Sequence, residues 1–129
     1  MTERAMTELA ARLGHTFADP VLLVEAMTHR SWCAENVGTP SNERLEFLGD
    51  AVLGLVIADH LFQVDGAMPE GDLAMARAAV VSTEALAQVA SRIELGQFLR
   101  LGKGENATGG RDKRSILADA MEKVGKDGV

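Results

Sequence analysis

The 129-residue sequence predicts an all-α fold. Three observations carry that prediction. Apolar residues recur at the i, i+3, i+4 spacing of amphipathic helices. Glycine and proline punctuate the chain between these stretches. No segment shows the strict polar–apolar alternation of a half-buried strand. The length fits a single domain, and a hydrophobic content of 47% supplies a core that needs no disulfide staple.

The elements follow in order. Thr2 to Leu13 places Met6, Leu9, Ala10 and Leu13 on one helical face, with Gly14 as its stop. Asp19 is an N-cap and Pro20 the first helical residue of a second helix, which carries Leu22, Leu23, Ala26 and Met27 toward Thr28. Cys33 to Pro40, containing Asn36 and Gly38, reads as a loop. Ser41 or Asn42 caps the next helix, with Glu43 and Glu46 near its positive end, and this helix runs to about Phe62. Its first half is amphipathic. Its second half, from Ala51 to Ala58, is apolar all round and predicts burial on most sides. Gly66 to Pro69 is a turn. Glu70 to about Ile93 is a long helix that Ser82 and Thr83 can break. Gly96 ends that helix or opens a short one. Leu101 to Gly110, with glycine at 102, 104, 109 and 110, reads as a loop, and Asp112 to Lys123 is the last helix.

Charge and composition narrow the function classes. Thirteen basic against 19 acidic residues give a net charge of −6, which argues against a basic module that coats nucleic acid. An enzyme that brings metal ions to a polyanion stays open. Aromatic residues are 4% of the chain, with no Tyr and one Trp, too few for a base-stacking platform. Cys33 has no disulfide partner in the chain and reads as an ordinary buried thiol in a reducing compartment. The longest apolar run, Ala51 to Ala58, is far shorter than the roughly 20 residues of a membrane span. Residues 1–12 have no signal-peptide core. A cytoplasmic chain with no membrane partner is expected.

The carboxylates are the informative feature. Glu46 and Asp50 share a helical face, with Glu43 a turn earlier; Asp119 and Glu122 share another, after the apolar approach Ile116-Leu117-Ala118. Like charges at such spacings repel by a few tenths of a kcal/mol on an exposed helix, and burial makes the repulsion worse. Hard divalent cations relieve it. Mg²⁺ is held by one or two carboxylates plus water and substrate phosphate oxygens. Two such ions about 4 Å apart serve phosphodiester hydrolysis. Spacing alone leaves the commoner reading open as well, solvated acids near helix N-termini.

Other features are weaker. Gly104 to Gly109 has the outer glycines of a phosphate-binding loop, but Gly110 and Arg111 stand where Lys and Ser or Thr are required. His15, His29 and His60 show no zinc-like spacing with one another or with Cys33. Thr28-His29-Arg30-Ser31 serves either local capping or phosphate. Arg111, Lys113 and Arg114 form a basic cluster suited to phosphate contact.

The stretch Asn42-Glu43-Arg44-Leu45-Glu46-Phe47-Leu48-Gly49-Asp50-Ala51-Val52-Leu53 resembles the signature helix of the ribonuclease III endonuclease domain. Flanking segments match in the same order: Ala26 to Ser31, Pro69 to Leu73, Arg77 to Val81, Leu101 to Gly104, Gly109 to Arg111, and Ser115 to Glu122. The resemblance runs from about Leu9 to Glu122.

The resemblance implies an all-α ribonuclease III endonuclease-domain fold. It implies Glu46, Asp50, Asp119 and Glu122 as metal-binding carboxylates, with Asp50 and Glu122 catalytic, and Glu43 and Glu70 as supporting acids. Phe47 matches an aromatic that inserts into a partner subunit. His29, Arg111 and Lys113 are candidate phosphate contacts. The implied activity is Mg²⁺-dependent hydrolysis of double-stranded RNA by a homodimer, leaving 5′-phosphate and 3′-hydroxyl ends, with Mn²⁺ able to substitute and no small-molecule cofactor. A-form RNA is read by shape and by phosphate and 2′-hydroxyl contacts.

Two departures stand out. No double-stranded-RNA-binding domain follows, and the last helix gives way early to Lys123-Val124-Gly125, with Lys123 where a small residue is usual. The expectation is a catalytic domain over residues 1–129, shortened at its C-terminus, with part of Ala51 to Ala58 left exposed. The rival is a non-catalytic RNA-binding or dimerisation module of the same fold, disabled by that shortening. The complete carboxylate set favours the enzyme.

Overall fold

Local signals start and stop the first two helices where the sequence puts them. In the computed structural model, which describes residues 1–40 and 42–125, α1 spans Glu3–Leu13. Thr2 Oγ1 accepts from the Ala5 N–H at 3.1 Å. Gly14 ends the helix in the left-handed region at φ 69°, a conformation glycine adopts without steric cost. Helix α2 (Pro20–Ala26) begins with Asp19 Oδ1 accepting from the Val21 N–H at 3.0 Å.

The segment read as a polar run followed by a loop contains another helix, α3 (Arg30–Glu35). His29 is its N-cap, and the imidazole Nδ1 accepts from the Ser31 N–H at 3.2 Å. Histidine is outside the usual capping set, which is why the start was not legible. Cys33 is half-buried rather than a core thiol, with its Sγ 3.6 Å from the Pro40 carbonyl oxygen.

Helix α4 (Glu43–Val64) is the longest element described. Asn42 holds the cap position, but its side chain does not cap. It is buried, and its Nδ2 donates to the Ala26 carbonyl at 3.1 Å, tying α4 to the end of α2. Ser41, the alternative cap, lies outside the described residues. The long helix expected from Glu70 is two, α5 (Glu70–Val80) and α6 (Thr83–Arg92), bent by 47° at the break. Ser82 starts the second by accepting from the Ala85 N–H at 3.2 Å. A 3₁₀ turn (Leu95–Phe98) follows.

The stretch from Leu101 to Gly110 is not a loop throughout. Helix α7 (Lys103–Ala107) and a second 3₁₀ turn (Gly110–Asp112) occupy much of it. Tertiary contact, not propensity, holds α7. The Gly102 N–H donates to Ser31 Oγ at 2.8 Å, and the Lys103 N–H to Glu35 Oε2 at 2.6 Å. A Cβ at Gly102 would collide with the backbone of Ser31 and the carboxylate of Glu35, so only glycine permits this approach. Helix α8 (Arg114–Gly125) closes the described chain.

Helix α8 packs chiefly on α6 and α4. Its Ile116, Leu117 and Ala120 join Leu9, Leu23 and Phe98 in one core cluster. No strand occurs among the described residues. One parallel backbone bridge joins Thr28 and Arg100, where the Arg100 N–H donates to the Met27 carbonyl (2.9 Å) and the His29 N–H to the Arg100 carbonyl (3.1 Å). Arg100 reinforces it: its Nε donates to Thr28 Oγ1 at 3.0 Å, and its guanidinium lies 4.9 Å from the centroid of the Trp32 ring.

The all-round burial predicted for Ala51 to Ala58 does not occur. Only Leu45 and Gly49 of α4 are buried, whereas Leu55 is 70% and Phe62 71% exposed. Helix α5 packs on α4, but Ala51 to Ala58 is left half-buried or exposed. By length and composition α4 is apolar enough to cross a membrane, which the eight-residue run had not suggested.

Candidate metal centre

The site forms where α4 crosses α8. Gly49 makes the crossing close: a Cβ there would run into the Glu122 carbonyl oxygen and come within 3.4 Å of the Lys123 Cα. The absence of a side chain at Gly49 therefore brings the carboxylates of the two helices together. Glu46, Asp119 and Glu122 each offer one carboxylate oxygen, all within 4.8 Å of one another, and all three residues are half-buried. The buried Ile116, Leu117, Ala118 and Ala120 fix the register of α8 that turns Asp119 and Glu122 to this side.

Burial and mutual repulsion show in the proton affinities. Glu122 is pushed up to about 7, first by burial and then by the charges of Asp50, Asp119 and Glu46, with Lys123 opposing. Glu46 is also raised, first by burial and then by Asp119, again against Lys123. Lys123 is the surprise. It is only 4% exposed, and its Nζ lies 3.8 Å from Glu46 Oε2. Its pKa is nevertheless lowered, because burial outweighs the four carboxylates that favour the ammonium. Glu46 raised and Lys123 lowered within one ion pair mean that desolvation exceeds attraction on both sides.

A cavity of about 430 Å³ opens beside the cluster, with Asn42, Glu43, Glu46, Asp119 and Lys123 on its walls. His29, Arg30, Glu105, Lys113, Ser115 and Ile116 line the rest of it. Burial holds the His29 imidazole below its ordinary pKa; Glu105 opposes this and Lys123 adds to it. Lys113 Nζ pairs with Glu105 Oε1 at 3.4 Å.

The predicted site residues divide accordingly. Glu46, Asp119 and Glu122 come together, and Glu43, His29 and Lys113 line the same cavity as Glu46 and Asp119. Asp50 lies outside the tight cluster, exposed, and acts on Glu122 through its charge. Glu70 opens α5, exposed, and does not line the cavity. Arg111 is committed elsewhere: its Nη1 donates to the Gly96 and Leu99 carbonyls (3.0 and 2.7 Å), and its Nε to Asn106 Oδ1 at 2.8 Å. Phe47 projects from α4 at 83% exposure and lines an apolar groove with Leu22, Leu45 and Leu48.

Sequence reasoning missed Glu105 and the inward placement of Lys123. Glu105 left no signal, since it sits in a stretch read as loop. Lys123 left one: it follows Asp119 by four residues, which puts both on one face of α8.

Three convergent carboxylate oxygens, two of them from groups whose ionised form is disfavoured in isolation, suit a hard divalent cation that takes oxygen ligands. Comparison with known proteins identifies the relatives of this chain. A family model described as Ribonuclease-III-like matches residues 19–124. Ribonuclease 3 of Streptomyces coelicolor is 58% identical over 118 residues, which cover 92% of this chain and 42% of that protein. Ribonuclease 3 of Thermobifida fusca is 58% identical over 103 residues, covering 80% of this chain and 43% of that protein. The chain thus spans less than half the length of these curated relatives. A crystal structure of the nuclease domain of Campylobacter jejuni ribonuclease III superposes with a TM-score of 0.85 at 39% identity, covering 98% of this chain and 82% of that one. A second structure of that domain, described for flexibility in a region involved in dimer formation, also gives 0.85, at 41% identity over 92% of this chain and 80% of that one. With its helical architecture, its acidic crossing of α4 and α8 and these matches, the chain belongs to the ribonuclease III family.

Proposed function

We propose that this chain is the nuclease domain of a metal-dependent endoribonuclease that hydrolyses double-stranded RNA to 5′-phosphate and 3′-hydroxyl ends. The observation that carries the proposal is the convergence of Glu46, Asp119 and Glu122 beside a cavity that Glu46 and Asp119 line together with His29 and Lys113. Glu46, Asp119 and Glu122 would hold Mg²⁺, or Mn²⁺ in its place, with Asp50 adding negative charge from its exposed position. Such an ion supplies Lewis acidity toward the phosphodiester and toward water. The chain's own residues do the rest. Lys113 and His29 face an entering phosphate. Glu122, raised to about 7 without metal, would give up its proton when it takes the cation. Glu43 sets the field of the cavity wall, and Glu70 lies further along the acidic surface.

In this reading the chain works as a homodimer, with Phe47 and the open apolar side of α4 meeting a second copy. That side is then a protein contact and not a lipid one, and the setting is cytoplasmic. A net charge of −6 makes RNA affinity depend on the bound cation and on salt.

The test is cleavage of an end-labelled RNA duplex by the purified chain, with Mg²⁺ and with chelator. Mg²⁺-dependent fragments with 5′-phosphates are expected, and Glu122→Gln should lower the rate by about two orders of magnitude or more while the helical signal persists. Wild-type rates in that variant would sink the assignment.

One observation favours a second reading, a non-catalytic RNA-binding or dimerisation module of the same fold: the Lys123 ammonium stands within the carboxylate cluster. A folded chain that binds the duplex without cutting it would select that reading.

A further inference from the structure

Lys123 is a charged side chain with almost no solvent, placed where the nuclease reading needs room for a cation. Its backbone is pinned by the close crossing at Gly49. Its Nζ lies 3.8 Å from Glu46 Oε2. Glu46 is also one of the three residues whose oxygens converge, so one carboxylate faces two claims.

We propose that Lys123 is a resident countercation of this cluster, and that a divalent ion must displace its ammonium from Glu46 to gain the full donor set. The inference rests on the metal reading above and specifies how the site is filled. Counting formal charges, three ionised carboxylates and one ammonium leave −2, whereas the carboxylates without Lys123 leave −3. The ammonium thus offsets repulsion in the metal-free cluster, which explains how three acids stay together at a half-buried crossing. The same charge repels an incoming dication and holds one of its ligands. Lys123 keeps its proton in this competition, and its flexible four-carbon stem moves toward the open cavity. The consequence is a site weaker for metal than its carboxylate count suggests.

Isothermal titration of Mn²⁺ into the wild-type chain and into Lys123→Met, at one pH and ionic strength, tests this. Methionine keeps the length and apolar stem of the side chain and removes the charge. The variant is expected to bind Mn²⁺ at least about tenfold more tightly. Equal or weaker binding by the variant, with uptake by the wild type, overturns the proposal and leaves the metal reading intact. No uptake by either chain overturns both. Should Lys123→Met fail to fold, the ¹H–¹³C resonance of the Lys123 Cε methylene in the wild type gives the answer. A shift that saturates with added Mg²⁺ supports displacement; an unmoved resonance while Mg²⁺ binds overturns it.

Discussion

Along one helix, α4, the two buried positions fall in the half richer in charge, and none falls in the half richer in apolar side chains. Leu45 and Gly49, its two buried residues, both precede Asp50. Beyond Asp50, Leu55 and Phe62 stand mostly in solvent. Hydrophobicity does not explain the difference. What distinguishes the halves is a partner: α8 crosses at Gly49, where an absent side chain lets two backbones meet, and within the described residues it buries nothing beyond. Burial follows from shape and from what arrives, and apolar character only makes burial favourable when something does.

Gly49→Ala is the sharpest way to break that contrast. A methyl group there must displace the backbone at Glu122, and we expect a loss of about 3 kcal/mol in urea unfolding together with the loss of Mn²⁺ binding. A variant as stable as the wild type would mean that the crossing is not the close contact described.

A smaller effect should come from pH. Glu122 is raised from 4.5 to about 7 in the fold, so the folded chain binds its proton more tightly than the unfolded chain does. The stability this contributes is fully present below about pH 4.5 and is lost as pH rises through about 7, and Glu46 shifts in the same direction. Allowing for solvent screening of a half-exposed group, metal-free unfolding should become easier by about 1 kcal/mol between pH 5 and pH 8. Glu122→Gln should flatten that profile. A slope unchanged in the variant would place the titration elsewhere.

The smallest effect is a gain. Gly54 is on the open half, and a Cβ there would meet nothing within 4 Å. Gly54→Ala should therefore stabilise the isolated chain by just under about 1 kcal/mol through helix propensity alone. Destabilisation of similar size, growing with protein concentration, would show that a second copy covers this half at Gly54.

The pattern of what was legible follows the same logic. Thr2, Gly14, Asp19 and Pro20 act on their own helices, and their signals are local enough to read from the sequence. The spacing of Glu46, Asp119 and Glu122 was readable for the same reason, as helical periodicity put the acids on single faces. Helices α3 and α7 were not readable, because their ends depend on each other through Ser31, Glu35 and Gly102. Arg111 looked like a phosphate ligand because the backbone carbonyls of Gly96 and Leu99 that engage it carry no mark in the sequence. The open side of α4 looked buried because an apolar run does not say whether its partner is present.

The bridge between Thr28 and Arg100 also shapes how the molecule is made. Its two residues lie 72 apart in the chain, and Glu46 and Lys123 are comparably distant. Neighbouring helices can form and dock early, but these contacts require closing a long loop, whose entropic cost comes before any reward. The acids are thus gathered only when α8 docks on α4. Parting α8 from α4 takes Glu46 away from Asp119 and Glu122, so any cation that binds the cluster acts as a latch on that docking.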